Sequence, residues 1–254
     1  MDARRSANRR YAAGTVTVLG AVLALSVLAW AFRPPVPDPE TLCPTARPIR
    51  AHTLVIVDRT DRWDPAVGQT ITELIEHAQR STAQYEKFSV VSLDENMSTR
   101  PVFSVCNPGE PNFVSDLYKG RRYTKRDFEE RFVGASDAVL AQLQRPSAAP
   151  QSPIVEYVHR WLGRDDFNAS IPNRRLILVS DMRQNSPEHN MYVQGQTGLP
   201  ELVQREFGES GAGVAYDIYF VHHGGDSRLS EQDVRNAWDA AFRRISATYA
   251  WKQL

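Results

Sequence analysis

From about Ile49 onward the chain alternates between short, unbroken apolar runs and longer stretches in which apolar residues recur every three or four positions. HTLVIV (52–57), the core of EKFSVVSLD (86–94), RRLILVSD (174–181) and YDIYFVHH (216–223) are of the first kind. A continuous apolar run of this length is the signature of a strand covered on both faces. RPVFSVCNPG (100–109) reads as a further strand ending in an Asn-Pro-Gly turn. Between them lie helical patterns. Val67, Ile71, Leu74, Ile75 and Ala78 share one face behind an Asp64-Pro65 start. Phe128, Phe132, Ala135, Val139 and Leu143 do the same in a long amphipathic helix over 124–144, after an irregular stretch at 110–119. PIVEYVHRWLG (153–163) is a shorter helix closed by Gly, and SEQDVRNAWDAAFRRISA (230–247) is a last helix with a Ser230/Asp233 capping box.

Strands alternating with helices predict βαβ units. The expected fold is therefore α/β: a doubly wound, mostly parallel central sheet with helices on both faces. The 206 residues from 49 to 254 suffice for one such domain.

The first 48 residues follow another pattern. MDARRSANRR (1–10) carries four Arg against one Asp, and Tyr11 to Phe32 is a run of 22 residues without a charge. A bilayer core is crossed by about 20 apolar residues in a helix. This predicts a single transmembrane signal-anchor helix over 11–32, with Trp30 and Phe32 at the far interface. The basic flank favours a cytoplasmic N-terminus, and the remaining chain then lies outside, in the periplasm of a bacterial inner membrane. The alternative is a signal peptide cut after the small-x-small triplet Ala29–Ala31. Residues 33–48, with six prolines in 16 positions, read as a stiff, extended linker holding the domain off the membrane.

Overall charge adds little, since 30 Lys and Arg balance 30 Asp and Glu. No nucleic-acid partner is indicated. The basic run KGRRYTKR (119–126) suits phospholipid headgroups or a solvated face. The two cysteines, Cys43 and Cys106, both follow the apolar segment, and in an oxidising compartment one disulfide or two separate buried thiols are open readings.

Candidate chemistry gathers at strand ends. Asp58 closes the first apolar run and is followed by Thr60, Asp61 and Asp64; Asp181 closes the fourth. In open α/β sheets ligands bind at the carboxyl ends of strands. A hard cation takes carboxylate and hydroxyl oxygens, and Ser152, just ahead of a helix, offers another hydroxyl or an N-cap. The simpler alternative makes these residues caps of the following turns.

These residues resemble the metal-ion-dependent adhesion site of the von Willebrand factor type A (VWA) domain family. There Asp-x-Ser-x-Ser follows the first strand, a loop Thr precedes a helix, and an Asp follows the fourth strand. Asp58 and Thr60 stand in the first Asp and Ser places, Ser152 in the loop Thr place, and Asp181, 29 residues later, in the final Asp place. Arg62 occupies the second Ser place and Met182 the usual Gly, which makes the motif degenerate; Asp61 is a possible auxiliary carboxylate. The resemblance spans about residues 52 to 246 and implies a membrane-anchored protein-binding module. Asp58, Thr60, Ser152 and Asp181 would then hold Mg²⁺, and Arg183, Gln184 and Asn185 would form a partner-binding loop.

The hydrolase elbow, phosphate-binding glycine loops and H-E-x-x-H are missing from the sequence, and a non-enzymatic role is expected. A metal-dependent hydrolase of the envelope, and a structural subunit assembled through the membrane helix, are the alternatives. VHHGGD (221–226) reads as turn residues. The sequence does not fix the oligomeric state.

Overall fold

The computed structural model describes residues 2–31, 33–60, 64–93, 97–134, 149–222 and 229–254. Asp61, Arg62, the 135–144 part of the expected long helix and His223 to Asp226 lie outside them. The fold is mixed α/β. One sheet contains β1 Ala51–Asp58, β2 Lys87–Leu93, β3 Phe103–Cys106, β4 Asn173–Ser180, β5 Val214–Phe220 and β6 Thr248–Gln253, in the order β3-β2-β1-β4-β5-β6. All neighbours are parallel except β2 and β3. Strands after β1 build outward in both directions, and the order reverses between β1 and β4. That reversal is the topological switch point of a doubly wound sheet.

The central strands β1, β2 and β4 feed both faces. Leu54 and Ile56 of β1 enter a large core with helices α5 Ile154–Leu162, α7 Leu199–Ala212 and α8 Glu231–Arg244. Val55 and Val57 enter a second core with Ile71, Ile75 and Ala78 of α2 Pro65–Arg80. The period-2 alternation of a strand thus becomes two buried layers, which is why the apolar run is continuous. The expected caps are present. Asp64 accepts from the Ala66 amide at 2.9 Å. Ser230 and Asp233 exchange bonds at 3.1 and 3.3 Å.

Several elements differ from expectation. Residues 110–119 are not irregular throughout: α3 Phe113–Lys119 is capped by Asn112, which accepts from the Ser115 amide at 2.9 Å. The long helix begins as α4 Arg121–Arg126 and widens into a π-helical segment, Asp127–Val133. Helices α6 Met191–Gln194 and α7, and strand β6, carry patterns too short or too broken to read from periodicity.

The Pro-rich linker is not an extended spacer. Pro37 and Pro44 pair across a small hairpin, and Asp38 caps its turn by accepting from the Glu40 and Thr41 amides at 3.0 and 2.7 Å. Leu42 is buried, Cys43 forms a disulfide with Cys106, and the Cys106 amide donates to the Thr41 carbonyl at 2.8 Å. A proline-rich sequence favours extension only when nothing captures it; here a side-chain cap, a buried leucine and a covalent bond fold it onto the sheet edge.

The N-terminal segment is one helix, α1 Asp2–Ala31, of 30 residues. No helix among the described residues is long and apolar enough to cross a membrane. The expected span over 11–32 lies partly outside the description, since described side chains of α1 begin at Thr15 and Phe32 is not described.

Candidate functional site

Asp58 is the last residue of β1 and Ser180 the last of β4, adjacent strands that meet at the switch point. The pair sits where three chain segments converge. The Thr60 amide and hydroxyl donate to Asp58 Oδ1 at 3.1 and 2.7 Å. The hydroxyls of Ser152 and Ser180 donate to Asp58 Oδ2 at 2.9 and 2.7 Å. Backbone bonds fix the same junction. The Ala149 amide donates to the Thr60 carbonyl at 3.0 Å, and Ser152 and Asn185 exchange two bonds of 2.9 Å.

Asp58 is buried, and burial pushes its carboxyl above the ordinary value despite the hydrogen bonds from Thr60, Ser180 and Ser152. Among the described residues it makes no ion pair. A buried carboxylate stabilised by hydroxyl dipoles and one amide has room, electrostatically, for a cation. The Thr60 and Ser152 hydroxyls, in donating their protons to Asp58, keep their lone pairs, whereas Ser180 Oγ also accepts from the Met182 amide at 2.8 Å and keeps one. Thr60, Ser152 and Ser180 therefore form an oxygen-only set of the kind a hard divalent ion takes. The donor chemistry fits Mg²⁺, although no group of three or more His, Cys, Asp or Glu residues able to hold a metal is found among the described residues.

The four residues expected to act together divide. Asp58, Thr60 and Ser152 converge. Asp181 turns to its own loop, where Oδ1 accepts from the Arg183 amide at 3.0 Å and Oδ2 pairs with the Arg183 guanidinium at 3.3 Å. The β4 bond to Asp58 comes from Ser180 instead. Successive residues at a strand end face opposite sides, and Asp58 and Ser180 each stand one residue beyond the paired Val57 and Val179. That register was the signal for Ser180, available once β1 and β4 are set side by side.

The loop after β4 also differs from the expected binding rim. Gln184 is 0 % exposed. Its Oε1 accepts from the Val155 amide at 3.0 Å, capping α5 from outside, and its Nε2 donates to Glu156 at 2.8 Å. Arg183 is buried at 8 % exposure. Both hold the loop in place, leaving Asn185 as the half-buried member of the three. Ser152 does not cap α5, because Pro153 takes the N-cap position and Ser152 faces Asp58.

No protein-family model matches the sequence. No curated protein matches it either. Among solved structures the chain is similar to the pilus adhesin SpaC from Lactobacillus rhamnosus GG in its open conformation, with 8 % identity and a TM-score of 0.45. The match covers 80 % of this chain and 28 % of the adhesin.

Proposed function

We propose that the chain is a VWA-like protein-binding module, tethered to a bacterial inner membrane by α1 and facing the periplasm. It would act as an adaptor, without turnover. The observation that carries the reading is the buried Asp58, held by Thr60, Ser152 and Ser180 at the carboxyl-end crevice between β1 and β4. Three separated segments converge there on one carboxylate, more than capping a single turn requires.

The anchor reading is supported by the uncharged run Tyr11 to Phe32 and by the exposure of every described α1 side chain from Thr15 to Ala31. A helical stretch without charges favours an apolar surround, and among the described residues the domain leaves Thr15 to Ala31 exposed. Thirty residues of helix span about 45 Å.

At the site, Asp58 orients the three hydroxyls and keeps their lone pairs turned away from itself. Mg²⁺ held by Thr60, Ser152 and Ser180, with Asp58 supplying its charge from behind the three hydroxyls, would leave an open coordination position for a partner's carboxylate. Asp181, engaged by Arg183, would take part only through water.

Calorimetric titration of Mg²⁺ and Mn²⁺ into the full chain in detergent, beside Asp58→Asn and Ser152→Ala, tests this. Saturable binding in the wild type, weakened at least tenfold in both variants, is the expected result. A wild type that binds neither ion overturns the metal-dependent form of the proposal.

A further inference from the structure

The segment from Phe113 to Arg126 presents an unusual surface at the foot of α1. Phe113 and Leu117 are 81 % and 70 % exposed, and Tyr123 is exposed as well. Phe113 and Leu117, four residues apart on α3, share one face. Residues 113–126 carry five Lys and Arg against one acid, Asp116. Asp116 accepts from the Thr124 hydroxyl at 2.6 Å, within the segment. Arg122, Lys125 and Arg126 are exposed. Lys125 and Arg126 reach Glu129 and Asp127 only at 3.6 and 3.7 Å, and such exposed pairs bind weakly.

Two observations tie this surface to α1. The Tyr118 hydroxyl donates to the Ala29 carbonyl near the end of that helix. A cleft of about 560 Å³ opens between the two, lined by Ala31, Arg33, Arg47, Tyr85 and Phe113. Apolar and aromatic groups flanked by cations, level with the end of a spanning helix, match the headgroup boundary of a bilayer.

We infer that Phe113–Arg126 is a lipid-binding foot. Phe113, Leu117 and Tyr123 enter the headgroup–acyl boundary, while Arg122, Lys125, Arg126 and Arg33 bind the phosphates of anionic lipids. The inference rests on the reading of α1 as a membrane anchor. It also orients the domain. Cys106, which leads into α3, pairs with Lys87 at the start of β2, so the foot lies at the amino end of the parallel strands. Asp58 closes the opposite end of β1. The foot sets the Asp58 crevice away from the membrane, open to a soluble or opposing partner.

Both native cysteines are paired, so one introduced cysteine takes a spin label uniquely. The full chain carrying Leu117→Cys or Val22→Cys is reconstituted into vesicles of phosphatidylcholine alone or with phosphatidylglycerol. Collision rates with oxygen and with a water-soluble nickel chelate report depth. The expected result is a Val22 label inside the bilayer in both vesicles, and a Leu117 label several-fold better shielded from nickel with phosphatidylglycerol. Arg122→Glu/Lys125→Glu/Arg126→Glu should abolish that shielding. A Leu117 label in water while the Val22 label stays in lipid overturns the foot and leaves the anchor standing. A Val22 label in water overturns both. A Leu117 label equally shielded in neutral vesicles overturns the role of anionic headgroups.

Discussion

At the scale of single residues, the amino end of the sheet holds a second buried polar group whose energetics can be separated from the Asp58 site. His52 donates from Nδ1 to the Asp166 carbonyl at 2.6 Å, which leaves Nε2 to accept from Ser89 at 2.8 Å. Burial, with the charges of Lys87 and Arg164 adding to it, lowers its pKa from 6.5 to about 4. Above pH 6.5 the imidazole is neutral in folded and unfolded chains alike and contributes nothing to the pH dependence. As pH falls towards 4 the unfolded chain gains a proton that the folded one refuses, so stability drops, by about 2 kcal/mol at pH 5. Asp166 titrates in another window. Burial raises its pKa, but hydrogen bonds and charge from Arg164 and Lys87 outweigh this and hold it well below the usual range; its contribution is lost only below about pH 4. Urea unfolding at pH 7 and pH 5 should therefore show the loss in the wild type and a clearly smaller one in His52→Gln. An equal loss in both would place the pH dependence elsewhere. None of this was legible in the sequence, where His52 is one of six scattered histidines. Its role comes from Ser89 and Asp166, 37 and 114 residues away. That Asp58, Thr60 and Ser152 come together was legible from their places at a strand end and ahead of a helix. Ser180 and Asp181 exchanged places because strand-end alternation fixes which of two adjacent residues faces β1, and a motif match read one residue at a time does not carry that register.

At the scale of elements, the strands were the most legible. A run buried on both faces has no polar position to confuse the pattern; β1 ends on Asp58 as expected, and β4 ends on Ser180, one residue before the expected Asp181. Strand β6 was not, because its side chains are half-buried or exposed at the edge. It is fixed by tertiary contacts, with Trp251 donating to Asp239 at 2.8 Å and the Arg235 guanidinium 4.7 Å over the Trp251 ring. The hairpin at residues 36–45 was misread for a related reason. Its prolines are local and visible, whereas Cys106, which holds it, is 63 residues away. Closing a loop of that length is worth roughly 4 kcal/mol in the chain-entropy model. The double substitution Cys43→Ala/Cys106→Ala should lower stability by an amount of that order. Hydrogen exchange should then show the Leu42 and Thr45 amides, which donate to Asp38 and Val36 at 3.0 Å, losing protection first. Unchanged protection there would mean that Leu42 and the Asp38 cap hold the hairpin without the covalent bond. The Arg131 guanidinium, which donates to the Glu40 carbonyl at 3.1 Å, adds a further tie to the π-helical segment beside α4. The disulfide therefore joins the hairpin that follows α1, the sheet edge and the segment leading to α3 into one block, which on the proposed anchor and foot would face the membrane.

At the scale of the whole molecule, that block gives the domain a direction. The foot follows β3, whose last residue pairs with the first of β2. Gln84, in the loop just before β2, donates to the Pro108 carbonyl at 3.0 Å and marks the end of the sheet that the proposed foot would set against the membrane. Glu188, an exposed residue of the otherwise largely buried loop beyond β4, marks the other end, the end of the sheet that Asp58 closes. The eight residues of β1 separate the two by about 25 Å at the usual rise per residue. A domain hanging from a free, extended linker would tumble and average this difference away; one clamped through the hairpin, the disulfide and α3 would not. With a donor dye at Gln84→Cys or Glu188→Cys and acceptor-labelled lipid in vesicles containing phosphatidylglycerol, energy transfer should be strong from position 84 and weak from position 188. The gap should correspond to roughly the length of the strand. Reducing the Cys43–Cys106 bond should narrow it, because the hairpin then reverts towards the spacer its composition favours. Equal transfer from both positions in the oxidised protein would mean that the sheet lies flat or tumbles. The crevice would then not be held towards a partner, and any adaptor function would depend on the partner finding the site by diffusion.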